Sequence, residues 1–236
     1  MRLIDSLSIK RGELITIVGG GGKTTTLLNL VDNCFYRNIL VSTTTKIYVP
    51  PYKFVGINEF NYDKGPLCVG NHINKEGKVV GVDKYYLDTV HDKNTYDLIL
   101  VEGDGSKGRS LKLYRENEPI IPASSNKLII ILGSDIIGKK FSEENVHRHN
   151  LLNKELNIKE DEILTIDKIY EILTSTNGII GRIPSNMKTY FFINKCEEYP
   201  SEKMIELGER INELNIIDKV IYGSAKEGQV YKELMG

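Results

Sequence analysis

The sequence predicts an α/β fold, a mainly parallel sheet with helices on both faces, and three observations lead to it. Short apolar runs recur along the chain, amphipathic helical stretches lie between them, and turn residues separate the two. The runs, at 14–18, 39–42, 98–101, 128–132, 190–193 and 220–222, have the length and composition of strands buried on both faces. The helical stretches include 24–35, with Leu27, Leu28, Val31, Cys34 and Phe35 on one stripe, and 202–214, with Met204, Ile205, Leu207, Ile211 and Leu214. Strand alternating with helix is the pattern of parallel strands joined by crossovers.

The rhythm breaks after the second run. Pro50, Pro51, Gly56, Gly65, Pro66, Gly70 and Gly77 punctuate two short runs at 67–69 and 78–82. This reads as an inserted hairpin or small subdomain at about 50–82 within one domain spanning 1–236. A chain of 236 residues, 40% hydrophobic, suffices for one substantial core.

The 31 Lys and Arg residues balance 32 Asp and Glu, so nothing in the overall charge calls for nucleic acid or an acidic membrane surface. No stretch approaches the roughly 20 apolar residues of a membrane span, and the first residues contain no apolar run of signal length. Cys34, Cys68 and Cys196 are far apart and lack the paired spacing of a zinc or redox motif. The expectation is a cytoplasmic protein without nucleic-acid or membrane partners.

The first strand runs into Gly19-Gly20-Gly21-Gly22-Lys23-Thr24-Thr25, and a helix opens at Thr24. Glycines let backbone N–H groups turn inward around an anion, which then sits on the positive end of the helix. Lys23 is placed to reach the β and γ phosphates of a nucleoside triphosphate, and the Thr24 hydroxyl to ligate Mg²⁺. The strict G-x-x-x-x-G-K-[ST] pattern wants a glycine where Ile17 stands, so this is a reshaped variant of the loop. A dinucleotide fingerprint fits worse, because Thr24 occupies the position of its third glycine and no acidic residue ends the 39–42 strand. The expected fold is therefore P-loop NTPase-like.

A second strand end is acidic, with Glu102 and Asp104 following the run 98–101. Carboxylates at the carboxyl edge of a parallel sheet can hold Mg²⁺ or orient an attacking water. A solvated strand-to-loop turn is the ordinary alternative. Ser106-Lys107-Gly108-Arg109 puts two cations, Lys107 and Arg109, near the same rim, suited to a transition-state phosphate or an anionic second substrate. Thr43-Thr44-Thr45-Lys46, after the second strand, offers hydroxyls and an ammonium that could sense the γ phosphate. His147-Arg148-His149 lacks the i, i+4 spacing of a helical metal pair and reads as structural, with Arg148 the exception to watch. Cys196 reads as a small buried residue at a strand end rather than a reactive thiol.

Asn194-Lys195-Cys196-Glu197 is similar to the N-K-x-D guanine signature, with Glu in place of Asp. Ser224-Ala225-Lys226 is similar to the S-A-K motif that follows it in GTPases. In that reading Glu197 accepts from guanine N1 and N2, Lys195 stacks on the base, and the Ala225 N–H donates to O6. Both GTP and ATP stay open, since the longer Glu changes the geometry.

Gly19 to Thr26, Thr43-Thr44-Thr45-Lys46, Glu102 to Arg109, Glu118-Pro119-Ile120-Ile121-Pro122 and Val146-His147-Arg148 together resemble the YqeC family over most of the chain. The resemblance implies an accessory role in maturing the selenium-containing cofactor of molybdenum hydroxylases such as xanthine dehydrogenase. Its implied partners are a selenium-dependent molybdenum hydroxylase or its cofactor-maturation proteins. It carries a functional role onto Gly22, Lys23, Thr24, Lys46, Glu102, Asp104, Lys107 and Arg109. The expected activity is Mg²⁺-dependent NTP hydrolysis. A kinase or nucleotidyltransferase acting on a small anionic or pterin-type substrate is one alternative, and a nonenzymatic nucleotide-dependent carrier is the other.

Overall fold

The computed structural model describes residues 1–152, 156 and 158–236. Its strands, in chain order, are β1 (Glu13–Gly19), β2 (Ile39–Thr43), β3 (Lys46–Tyr48), β4 (Lys53–Gly56), β5 (Leu67–Gly70), β6 (His72–Ile73), β7 (Lys78–Val80), β8 (Leu98–Glu102), β9 (Leu111–Lys112), β10 (Lys127–Gly133), β11 (Val146–His147), β12 (Lys188–Asn194), β13 (Lys219–Ser224) and β14 (Gln229–Met235). The helices are α1 (Leu3–Ser6), α2 (Lys23–Asn33), α3 (Lys84–Asp92), α4 (Ile166–Thr174) and α5 (Glu202–Asn212).

Nine strands form one sheet in the order β14-β13-β12-β10-β1-β8-β2-β5-β4. All its pairings are parallel except β13 with β14. The expected mixed α/β architecture with a mostly parallel sheet is therefore present. Its inner strands are mainly apolar because both faces are covered. Along β10, Leu128, Ile130 and Leu132 join one core cluster with Ile169 and Ile172 of α4 and Leu207 and Ile211 of α5. Ile129 and Ile131 join the opposite cluster with Leu27, Leu30 and Val31 of α2 and Leu3 and Ile4 of α1. Each such side chain contributes about 1.5–3 kcal/mol on burial, so the sheet forms a stiff frame for the loops at its edges.

Three details differ from the sequence expectation. Helix α2 ends at Asn33, leaving Phe35 80% exposed beyond it instead of on the buried stripe. The last strand, β14, is an antiparallel edge with mixed burial, so it has no continuous apolar run to reveal it. Residues 50–82, expected as an insertion, divide between two sheets. Strands β4 and β5 extend the main sheet beyond β2, while β6 and β7 make a hairpin that pairs with β3 in a separate antiparallel sheet. The fully buried run Leu67–Gly70 explains the first part: its apolar side chains need cover on both faces, which a place beside β2 supplies. The hairpin turn is held by Asn74, whose Oδ1 accepts from the N–H groups of Glu76 and Lys78. Among the described residues no helix is long and apolar enough to cross a membrane.

Candidate functional site

The parallel register brings the carboxyl ends of the central strands to one edge. Ile17 and Thr43 both stand beside Glu102, Gly19 beside Ile131, and Gly133 beside Asn194. Ligands of open α/β sheets bind along such an edge. From it β1 turns through Gly20, Gly21 and Gly22 into α2. Gly22 has φ 126°, and a Cβ there would lie 2.3 Å from Asn194 Nδ2, so only glycine fits. Helix α2 opens without a side-chain cap and without an acidic residue in its first turn, which leaves the positive end of its dipole to face the loop.

Lys23 is folded back beneath this loop and is only 4% exposed. Its Nζ donates to Gly19 O at 2.7 Å and Ser106 Oγ at 3.1 Å. The same ammonium lies 3.1 Å from Asp104 Oδ1 and 3.8 Å from Glu102 Oε1. Thr24 Oγ1 donates to Glu102 Oε2 at 2.9 Å. The Gly19 N–H donates to Asp104 Oδ2 at 2.9 Å. Thus Lys23, Thr24, Glu102 and Asp104, separated by about eighty positions in sequence, form one cluster.

Burial pushes the Glu102 carboxyl above its ordinary value, against the opposing pull of Lys23 and the Thr24 hydrogen bond. Asp104 is just as buried, yet Lys23 and Lys112 outweigh desolvation and hold it below the ordinary carboxylate value. Two carboxylates two residues apart are therefore driven in opposite directions, a frequent property of functional sites.

The threonine loop packs on the same strand end. Thr43 Oγ1 donates to Glu102 O at 2.8 Å and accepts from Thr45 N–H at 3.0 Å, and Thr44 Oγ1 donates to Ile120 O at 2.9 Å. These hydroxyls fix the loop itself. Lys46 is exposed on β3, and its charge is felt by Glu76 of the small sheet's hairpin. The structure does not bring its ammonium into the cluster. Lys107 is exposed at a left-handed φ of 49°. Arg109 directs Nε to Glu143 O and Nη1 to Lys107 O, so backbone carbonyls occupy much of its guanidinium. Thr25 is exposed on the first turn of α2.

The two segments expected to read the base meet the glycine loop through Asn194. Its Nδ2 donates to Gly21 O at 2.7 Å and its Oδ1 accepts from Ala225 N–H at 2.8 Å. The Ala225 donor expected to read a purine O6 already has this partner. Lys195 Nζ bonds Ser110 Oγ and Asp135 Oδ2, each at 2.8 Å. Ser224 is buried, and its Oγ accepts from Glu227 N–H at 3.3 Å. Glu197 is exposed, with its backbone oxygen accepting from Tyr231. Cys196 is buried and its thiol pushed up by that burial, as a packing residue would be.

Sequence reasoning missed Lys112 and Tyr114 behind the carboxylates, and singled out Arg148 without its pairing to Glu118. Lys112 Nζ lies 3.3 Å from Asp104 Oδ2 and donates to Gly105 O at 2.8 Å. Arg148 Nη2 donates to Glu118 Oε1 at 2.6 Å, and Arg182 Nη1 holds the carbonyls of Arg115, Glu116 and Glu118. One signal was available: Lys112 stands alone between Leu111 and Leu113, and a lysine inside an apolar run is a candidate buried charge.

A cavity of about 1290 Å³ lies at the opposite edge, lined by Asn126, Lys188, Tyr190, Asp218 and Lys219 among others, and none of the clustered residues lines it. The chemistry is concentrated at the glycine-loop edge, and the size of the other opening does not outweigh that.

A family model described as YqeC protein matches residues 15–150. The chain is also 30% identical over 209 residues to the Escherichia coli (strain K12) protein named "Uncharacterized protein YqeC", a match covering 83% of this chain and 81% of that one. The matched region contains the glycine loop, the acidic strand end and Arg148, and the chain belongs to the YqeC family.

Proposed function

We propose that this protein is a P-loop NTPase that binds GTP or ATP with Mg²⁺ in the Gly19–Thr24 loop and hydrolyses the terminal phosphate. The observation that carries the reading is the placement of Lys23: a buried ammonium at the mouth of a helix, beneath a glycine loop and between two carboxylates, Glu102 at the end of the adjacent strand β8 and Asp104 in the loop that follows it. A buried lysine so arranged is suited to exchange a protein carboxylate for phosphate oxygens.

Thr24 and Glu102 present a hydroxyl and a carboxylate 2.9 Å apart, hard oxygen donors of the kind from which Mg²⁺ takes one or two protein ligands. Asp104, seated on the Gly19 N–H, fits a loop-holding part better than a metal-binding one. Mg²⁺ bound at Thr24 and Glu102 would neutralise charge on the phosphate oxygens. Lys23 would bind the β and γ phosphates, the N–H groups opening α2 would face the anion, and Glu102 would orient water. Base selection falls to the loops around Lys195, Glu197 and Ser224, which stand beside the glycine loop through Asn194.

The pathway we propose follows from the family resemblance: nucleotide turnover drives maturation of a selenium-containing molybdenum cofactor, with a selenium-dependent molybdenum hydroxylase or its maturation proteins as partner. A kinase or nucleotidyltransferase would leave a modified acceptor or pyrophosphate where a hydrolase leaves free phosphate. A nonenzymatic carrier would bind nucleotide without turnover. Phosphate release from GTP and ATP, with and without Mg²⁺, tests the reading: Mg²⁺-dependent release supports it, and tight binding with no product in the presence of the candidate partner removes it.

A further inference from the structure

The buried cluster contains a second lysine that the nucleotide chemistry above does not use. Asp104 is 0% exposed and touches two ammonium groups, Lys23 at 3.1 Å from Oδ1 and Lys112 at 3.3 Å from Oδ2. One of these must leave: Lys23 cannot bind phosphates while it remains buried against the carboxylates. An isolated ionised carboxylate in a dry interior is costly, and breaking a buried pair by removing one partner is strongly destabilising. Asp104 also holds the Gly19 N–H, so displacement of its side chain would slacken the glycine loop at its root.

Lys112 is built to stay. It sits on the short strand β9, whose residues 111 and 112 pair with Val146 and His147. Among the described residues its ammonium is fixed by Gly105 O at 2.8 Å, Asp104, Glu118 at 3.7 Å and the face of Tyr114 at 4.6 Å. None of these anchors belongs to the glycine loop. Arg148 and Arg182 in turn hold Glu118 and the turn that carries it.

We propose, resting on the triphosphate-binding reading above, that Lys112 is the standing counter-ion of Asp104: it compensates the buried carboxylate while Lys23 leaves for the phosphates of an incoming nucleotide. Lys112 is thus a positioning residue that touches neither nucleotide nor metal. Removing it should pin Lys23 in its internal ion pair, since among the described residues Asp104 would then touch no other ammonium.

The test is calorimetric titration of non-hydrolysable GTP and ATP analogues, with Mg²⁺, into the full chain and three variants: Lys112→Met, Lys112→Arg, and Asp104→Asn with Lys112→Met. The proposal expects Lys112→Met to weaken binding by about tenfold or more, within the range of coupled neighbours. Lys112→Arg should recover most of that loss. The double variant should bind better than Lys112→Met alone, because the charge of Asp104, the nearer of the two carboxylates, no longer pins Lys23. Should Lys112→Met fail to fold, the arginine and double variants still decide. Equal binding by the unsubstituted and Lys112→Met proteins overturns the proposal while leaving the nucleotide reading intact, as does a double variant weaker than Lys112→Met alone. Absence of binding by the unsubstituted protein removes the nucleotide reading and this proposal together.

Discussion

Asn194 donates its amide N–H to the carbonyl of Gly21 at 2.7 Å, tying the end of β12 to the middle of the glycine loop. The amide oxygen of Asn194 meanwhile accepts from Ala225, so one side chain braces three segments. Its first duty is structural. Asn194→Ala leaves a buried carbonyl and a buried N–H without this partner, each worth about 1–3 kcal/mol. Denaturant unfolding should show that loss, together with weaker binding of both GTP and ATP analogues. A change in GTP-over-ATP preference without any loss of stability would assign Asn194 to the base instead.

Glycine 22 answers to the same strut. Gly22→Ala places a Cβ 2.3 Å from Asn194 Nδ2 on a backbone at φ 126°, and should destabilise the fold by about 1–3 kcal/mol. Adding Asn194→Ala should relieve the clash and leave the backbone strain, so the two losses should sum to less than their separate values. Thermal unfolding of the four proteins gives the comparison, and strictly additive losses would contradict the contact.

Glu102→Gln keeps a side chain of the same shape beside Thr24 but removes the charge. Triphosphate binding in the absence of Mg²⁺ should persist while turnover falls on the order of 10²-fold, the usual contribution of a positioned acid or base. Phosphate release at saturating nucleotide measures it. Unchanged turnover would remove Glu102 from the chemistry.

His147 supplies a pH dependence. Burial first, then Lys112, Lys107 and Arg109, lower its imidazole from 6.5 to about 4. Between those values the unfolded chain binds the proton and the folded chain does not, so stability should fall as pH drops from 6.5 towards 4. His147→Asn should flatten that part of the profile. A variant with the same decline as the parent between pH 6.5 and 4 would assign the loss to other groups.

The parts of this fold that could be read from sequence are those whose residues announce themselves locally. β1, β8, β10, β12 and β13 are continuous apolar runs because both sheet faces are covered, and Gly19 to Thr24 declares its turn in consecutive residues. β14 stayed hidden because an antiparallel edge needs no such run. The fate of residues 50–82 was obscured for a different reason: glycine and proline mark turns equally in an insertion and in an extension of the main sheet. Glu102 and Asp104 could be named from their strand end, but that one is raised and the other lowered depends on burial, on Lys23 and on Lys112, which reaches Asp104 from a separate strand. Lys46 had the right neighbours in sequence, yet β3 turns away into the small sheet and carries it along.

The central claim is that the glycine loop with Lys23 binds the phosphates of a nucleoside triphosphate. Calorimetric titration of the protein and of Lys23→Ala with non-hydrolysable GTP and ATP analogues, with and without Mg²⁺, tests it most directly. The account predicts saturable, Mg²⁺-strengthened binding by the unsubstituted protein and its loss in Lys23→Ala. Binding that survives Lys23→Ala unchanged, or no binding of either nucleotide by the unsubstituted protein, would contradict it.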